Sequence, residues 1–449
     1  MRFPLPTPVA QALSQLEACG HEAYLVGGCV RDDVLGIQPR EYDICTSATP
    51  SQVHACFKSE QVLDTGLRHG TVTLRLAHMP LEITTFRLDG SYSDGRRPDS
   101  VSFRATLLED LKRRDFTVNA MAWSQKSGLV DPFHGLEACQ RLLLIAVGDP
   151  QQRFQEDALR ILRALRFAAV LGFDIDPETY QAMLNERSRL ALISRERVAG
   201  ELNRLLLGDW VVETLRTYPR IFWTALPQLE SMQHCPQRSK FHVYDVWEHT
   251  LQCIGYTPRD LAVRWAALFH DSGKPATASY DSDGTTHFRG HQHVSVRLTT
   301  TCMEELRQPR RLTETVRTLV LHHDARIGAD NLQKWVSLLG IGLFKQLMHL
   351  RRADQMAHAP YVSRHANKSL DLIKAAEALV QSGACLSLKD LKVDGNSLLS
   401  LGFPKGKLIG QTLLELLDSV LTGQIANEPS ALKALAQMKL AAAKRIEKP

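Results

Sequence analysis

Apolar positions fall in short runs over the first 150 residues and in a helical rhythm after that. Val9, Leu13 and Leu16 share one side of a helix over residues 8–19. Strand signals follow at Glu22 to Val26, Tyr42 to Thr46, Gly70 to Leu76 and Leu81 to Phe86, with Val72, Leu74 and Leu76 alternating as one face of a sheet. Asp89 to Asp99 (DGSYSDGRRPD) has a loop's composition. Past Asp149-Pro150 the pattern turns helical and stays so. Ala158, Ile161, Leu162, Leu165 and Ala169 line one helix face. Composition shifts near 148–152, 233–238 and 381–386. The expectation is an α/β head followed by a long helical body.

At 449 residues the chain exceeds one core, so two to four domains are expected. Hydrophobic residues make up 44% and charged residues 23%, ordinary for a globular protein. A net charge of +5 is compatible with an RNA partner without demanding one. Nine cysteines include no CxxC pair, which points to reduced thiols in a cytoplasmic protein. The N-terminus lacks a signal-peptide pattern, and no run is long enough for a membrane span.

The candidate chemistry begins at Gly27-Gly28-Cys29-Val30-Arg31-Asp32. Leu25-Val26 reads as a strand, the glycines as a turn, and Val30 to Gly36 as a helix. Backbone N–H groups in that turn, with Gly28 and Arg31, suit a triphosphate. Glu41 and Asp43 stand at i and i+2, on one side of a strand. Two such carboxylates repel unless neutralised, and magnesium held with substrate phosphates is the usual solution. Glu82, on the strand in LEITTFR, is a third carboxylate for that site. Further along, Asp157, Arg160, Arg163 and Arg166 recur every three residues and are expected to climb one side of a helix.

GGCVRD followed by EYDICTSATP resembles the nucleotidyltransferase head of tRNA CCA-adding enzymes and bacterial poly(A) polymerases, of the polymerase-β superfamily. Glu41 stands where that family usually has Asp. KRRDFTVNAMA resembles a second motif, whose nucleotide-binding arginine matches Arg114. DPFHGLEACQR, with Asp131, Gly135 and Arg141, resembles the hinge between head and neck. EDALR at 156–160 resembles the motif that selects the nucleotide. The implied catalytic set is Glu41, Asp43 and Glu82. Gly28, Arg31, Arg114, Asp157, Arg160, Arg163 and Arg166 are the implied nucleotide-binding set. A carboxylate only accepts hydrogen bonds and a guanidinium only donates. Cytosine and adenine each pair an amino donor with a ring-nitrogen acceptor, so Asp157 and Arg160 complement both. Uracil and guanine reverse the pattern, and a site of this kind rejects such a mismatch by roughly 10⁴-fold. RERVAGELNRLL, with Arg195, Arg197 and Glu201, resembles a further motif and is read as structural.

In the helical body, His249, His270-Asp271 and Asp354 resemble an HD metal domain. His291, His322 and His323 are candidates to widen it to two metals. The tail, LKVDGNSLLSLGFPKGKLIGQTLLELLDSV, also resembles CCA-adding enzymes. There Gly402, Gly406 and Gly410, with Lys405 and Lys407, would offer loop backbone and charge to a tRNA elbow.

The resemblance implies an α+β fold: a polymerase-β-type head with a mixed sheet, then an all-α neck, body and tail. The expected parts are residues 1–148, 149–232, 233–382 and 383–449. The expected function is template-independent addition of C, C and A to tRNA from CTP and ATP. Magnesium is the expected cofactor, a second divalent metal is a candidate in the HD body, and the chain is a monomer or homodimer without a membrane. The presence of RRPDSVSF in the loop at 89–103 favours full CCA addition. An A-adding or poly(A) polymerase relative, and an HD phosphohydrolase with an accessory head, stand as alternatives.

Overall fold

The computed structural model describes residues 5–89, 101–103 and 105–446. Chain contacts divide it into two units, Met1–Pro227 and Gln228–Pro449.

The first unit opens with α1 (Thr7–Ala18), whose Val9, Ala12, Leu13 and Leu16 are buried. Then come β1 (Ala23–Val26), α2 (Gly28–Val34), β2 (Asp43–Thr46) and α3 (Pro50–Cys56). A meander of β3 (Gln61–Gly66), β4 (Thr71–Leu76) and β5 (Met79–Thr85) precedes the two-residue pair β6 (Leu88–Asp89) and β7 (Val101–Ser102). After α4 (Leu107–Lys112), the hairpin β8 (Ala122–Ser124) and β9 (Gly128–Val130) completes a seven-stranded sheet in the order β3-β4-β5-β2-β1-β8-β9. The sheet is mixed: β2 runs parallel to β5, and its other neighbours pair antiparallel. Val72, Leu74, Leu81 and Ile83 are fully buried on alternate positions of β4 and β5, as their period of two requires.

The helical run begins with α5 (Gly135–Gln140) and, after β10 (Leu143–Leu144), α6 (Pro150–Glu156) and α7 (Leu159–Leu171). Asp149 caps α6 by accepting from the Gln151 N–H at 2.9 Å, with Pro150 in the first turn. Gly172, at φ +72°, ends α7. Beyond it lie β11 (Asp174–Ile175), parallel to β10, then α8 (Pro177–Glu186), α9 (Arg195–Leu206), α10 (Val211–Thr217) and α11 (Pro219–Ala225).

The second unit contains α12 (Val246–Tyr256), α13 (Leu261–Phe269), α14 (Lys274–Thr277), α15 (His291–Glu305), α16 (Arg310–His322) and α17 (Leu332–Met356), among shorter elements and a tail. The tail has its own apolar cluster, including Leu398, Phe403, Leu416, Leu432 and Ala436. The α+β expectation holds, and the remainder is largely helical, with β11 and the strands Ser279–Tyr280 and Thr286–His287 as exceptions. Gly402 and Gly406 sit in turns with positive φ and Lys405 and Lys407 are exposed, but Gly410 lies inside the helix Lys407–Leu421 rather than in a loop. All nine cysteines are free thiols. No described helix is long and apolar enough to cross a membrane.

Candidate functional site

The end of β1 and the start of α2 fix the first corner of the site. Gly27 sits at φ +76° and ψ −128°, a conformation L side chains avoid. A Cβ there would come to 3.0 Å from Arg114 Nη1. The glycine therefore serves both the turn and the close approach of Arg114. Arg31, buried on α2, is held by Asp32 at 2.6 Å and by the Asn119 side-chain oxygen at 2.7 Å. Arg113 and Arg114 both pair with the buried Asp110, at 2.6 and 3.3 Å.

Asp43 opens β2, and Glu82 is its registered neighbour on β5. Glu41 lies just before the strand. Burial raises the Asp43 carboxyl to about 6, Glu82 and Glu41 push the same way, and Arg114 opposes them. Two carboxylates on one cavity wall, one of them resisting ionisation, suit a hard divalent cation, which would relieve the repulsion.

The neck side is arranged differently from the expectation. Asp157 is not on α7. It terminates α6 with φ −144° and ψ 100°, and its Oδ1 accepts from the Leu159 N–H at 3.1 Å. Its carboxylate pairs with Arg197 on α9 at 2.8 Å. Arg160, on α7 and buried, donates to Glu156 at 2.7 Å, to the Arg153 carbonyl at 3.0 Å and to the Arg113 carbonyl at 2.7 Å. Those bonds use three of the five N–H groups of a guanidinium. Arg163 pairs with Asp115 at 2.6 Å, and Arg166 pairs with Glu201 at 2.6 Å while lying 3.9 Å from the Phe167 ring centroid. Burial lowers Arg166 to about 10, with Arg163 adding to the shift against Glu201.

One cavity of about 490 Å³ gathers Gly27, Gly28, Arg31, Glu41, Asp43, Arg114, Asp157, Arg160, Arg163 and Arg166. Glu82, beside Asp43 in the sheet, does not line it. Sequence reasoning missed Asp115, Asn119, Phe167, Arg197 and Arg204 on the same walls. The RER…E segment supplies Arg197 to Asp157 and Glu201 to Arg166. The expected loop at 89–103 falls largely on residues outside those described.

In the second unit, His249, His270, Asp271 and Asp354 converge from α12, the end of α13 and α17. His291 and His323 join them, but His322 does not. Adjacent helical positions point about 100° apart, and the His322 ring packs on Trp335 with centroids 5.1 Å apart. A Cβ on Gly273 would meet the His291 carbonyl at 2.3 Å, so glycine lets this loop close on α15. Each ring is braced through Nδ1 by a backbone carbonyl: His270 by Ala267 at 2.8 Å, His323 by Val320 at 2.7 Å and His291 by Phe288 at 2.9 Å. That leaves Nε2 as the atom facing the cluster. Burial opposes charge on His270, but Asp271 and Asp354 outweigh it and hold the ring up to about 10. Burial and the neighbouring His270 push His323 down to about 4.

Residues 23–144 match the family model described as the poly A polymerase head domain, which gives the first unit its class: a nucleotidyltransferase head. Residues 172–218 match a probable RNA and SrmB-binding site of polymerase A, and 294–436 match a putative tRNA nucleotidyltransferase domain 2. No HD family model matches. The CCA-adding enzyme of Levilactobacillus brevis is 35% identical over 438 residues, 96% of this chain and 97% of that one. That of Leuconostoc mesenteroides is 31% identical over 95% of this chain and 94% of its own. With the Limosilactobacillus fermentum enzyme identity reaches 45%, confined to 51% of this chain and 55% of the relative. The crystal structure of the Bacillus stearothermophilus CCA-adding enzyme in complex with CTP is 26% identical, with a TM-score of 0.74 over 99% of this chain and 100% of that one. This chain belongs to the CCA-adding enzymes, the tRNA nucleotidyltransferases that add CCA to the tRNA 3′ end.

Proposed function

We propose that the cavity of the first unit takes CTP and ATP in turn and that its own side chains choose the base. The observation that carries this reading is the convergence of two unlike chemistries on one wall system. The carboxylates Glu41 and Asp43 face the same 490 Å³ space as Asp157 and Arg160. Glu41 and Asp43 would hold magnesium, which when bound supplies positive charge to the phosphates. Gly28, Arg31 and Arg114 line the triphosphate end. The tRNA 3′-hydroxyl loses its proton to solvent as its oxygen attacks the α-phosphorus of the bound triphosphate, the bond to the bridging oxygen breaks, and pyrophosphate leaves.

Base choice rests on Asp157 as acceptor and on the uncommitted N–H groups of Arg160 as donors. Arg197 orients the Asp157 carboxylate, and Arg163 and Arg166 brace the helix that carries Arg160. The positive wall formed by these arginines suits the polyanionic substrates. The exposed Lys405 and Lys407 of the tail suit phosphate contact with tRNA.

The test is Asp157→Ala with all four nucleoside triphosphates on a tRNA transcript lacking its terminal CCA. Incorporation of UTP and GTP should rise relative to CTP and ATP. A slower reaction with unchanged discrimination would make Asp157 a structural residue.

A further inference from the structure

We infer that Arg204 holds a backbone phosphate of the tRNA 3′ strand at the solvent side of the first-unit cavity. Eight arginines line that cavity. Seven of them hold a carboxylate at 3.3 Å or closer, and their side chains are 10–33% exposed. Arg204 differs on both counts. Its side chain is 66% exposed, and among the described residues its carboxylate partner is Glu201, 4.0 Å away. Glu201 is buried and gives its other oxygen to Arg166 at 2.6 Å. One carboxylate thus serves two guanidinium groups, which leaves positive charge at the surface. An ion pair so exposed and so long contributes little, so Arg204 can turn to a phosphate without breaking a strong bond.

The place of Arg204 on α9 selects the phosphate. Arg197, Glu201 and Arg204 stand at i, i+4 and i+7, on one face of the helix. Arg197 holds Asp157 at the base-reading end of the cavity. Arg204 lies about 10 Å further along that face. The triphosphate end lies on other elements, at the turn before α2 and at Arg114 after α4. The strand that enters the cavity brings its 3′-hydroxyl to the α-phosphorus, and each nucleotide behind that hydroxyl carries one negative charge. A guanidinium can grip such a phosphate through two parallel N–H bonds. The last base of the strand changes with each addition, and a phosphate contact is indifferent to it. The inference rests on the reading that this cavity extends the tRNA end.

The test is steady-state extension of a tRNA transcript ending in CC by wild type, Arg204→Ala and Arg204→Lys, with ATP and magnesium, over a series of KCl concentrations. Arg204→Ala should raise KM for tRNA about tenfold, the low end for a hydrogen bond to a charged group. It should leave kcat and KM for ATP within about twofold, as loss of a contact made equally before and during reaction requires. The slope of log(kcat/KM) for tRNA against log salt should become shallower by about 0.7, the share of one single-strand phosphate. Arg204→Lys keeps the charge but not the fork, so it should recover most of the slope and part of the KM. A second measurement places the contact: a methylphosphonate is put at each of the last phosphates of the transcript, one at a time. At one position the neutral linkage should raise the wild-type KM for tRNA about tenfold, and that of Arg204→Ala less than about twofold.

An unchanged KM for tRNA in Arg204→Ala, an unchanged salt slope, an equal rise in KM for ATP, or additive losses at every methylphosphonate position would each overturn the assignment. Asp43→Ala, assayed alongside, separates this inference from the reading beneath it. Extension by Asp43→Ala would overturn both, whereas a silent Asp43→Ala beside a normal Arg204→Ala would overturn the phosphate contact alone.

Discussion

Replacing Asp115 by alanine removes the acceptor on which the first unit's polar network closes. Its Oδ2 pairs with Arg163 at 2.6 Å, and its Oδ1 accepts from the Phe116 N–H at 2.9 Å and the Asn119 amide at 3.1 Å. Asn119 in turn accepts from Arg31 at 2.7 Å. Breaking a fully buried pair by removing one partner costs about 3–5 kcal/mol. Asp115 is 7% exposed, but the Arg163 side chain is 33% exposed, so the lower end applies, about 3 kcal/mol. For a unit of this size each kcal/mol shifts Tm by roughly 2–4 °C, so a fall of roughly 6–12 °C is expected. Calorimetry reads the shift, and hydrogen exchange over residues 159–171 assigns it to the first unit. A double-mutant cycle with Arg163→Ala should return a coupling of roughly 1–3 kcal/mol. A Tm change below about 2 °C, or strictly additive single mutants, would refute the reasoning.

The same group sets an acid limb. Burial alone would raise Asp115, but Arg163 and Asn119 outweigh it and hold the carboxyl well below its ordinary value. A depressed folded-state value stabilises the fold in full above the unfolded value of about 4 and is lost as pH falls through the folded one. Wild-type stability should therefore drop more steeply below about pH 4 than that of Asp115→Asn.

Two further changes probe the nucleotide pocket. Gly27→Ala places a side chain at φ +76° and against Arg114. It should cost about 1–3 kcal/mol of stability and raise KM for CTP, and wild-type values of both would show that the turn is not needed. Arg197→Ala removes a partly exposed charge-assisted bond of about 1.5 kcal/mol. It should reduce discrimination of CTP over UTP by about tenfold, whereas lost stability with intact discrimination would make Arg197 a mere brace.

Much of the head was legible because its residues obey short periods. Alternating Val72, Leu74 and Leu76 declared a strand, and Gly27-Gly28 after Leu25-Val26 declared the turn. The strands β3, β8 and β9 were not legible. Gln61–Gly66 shows no alternation of burial, and the two hairpin strands have three residues each. The break at Asp157 hid inside an unbroken apolar rhythm, because Ala158 keeps the helical spacing although the backbone at Asp157 is extended. Arg197 was invisible as a site residue for another reason. Its partner lies 40 positions away, and only the packing of α7 on α9 brings them together. The histidine cluster was legible by residue type, but choosing between His322 and His323 needed the helix phase.

The most direct measurement is extension of three tRNA transcripts, ending before the first C, after CC and after CCA, by wild type and Asp43→Ala with CTP, ATP and magnesium. Wild type should add CCA to the first, A to the second and nothing to the third. Asp43→Ala should add nothing to any of them while still binding tRNA. Extension by Asp43→Ala, an A tract on the CCA-ended transcript, or failure of wild type to add C to the transcript ending before the first C would contradict the account.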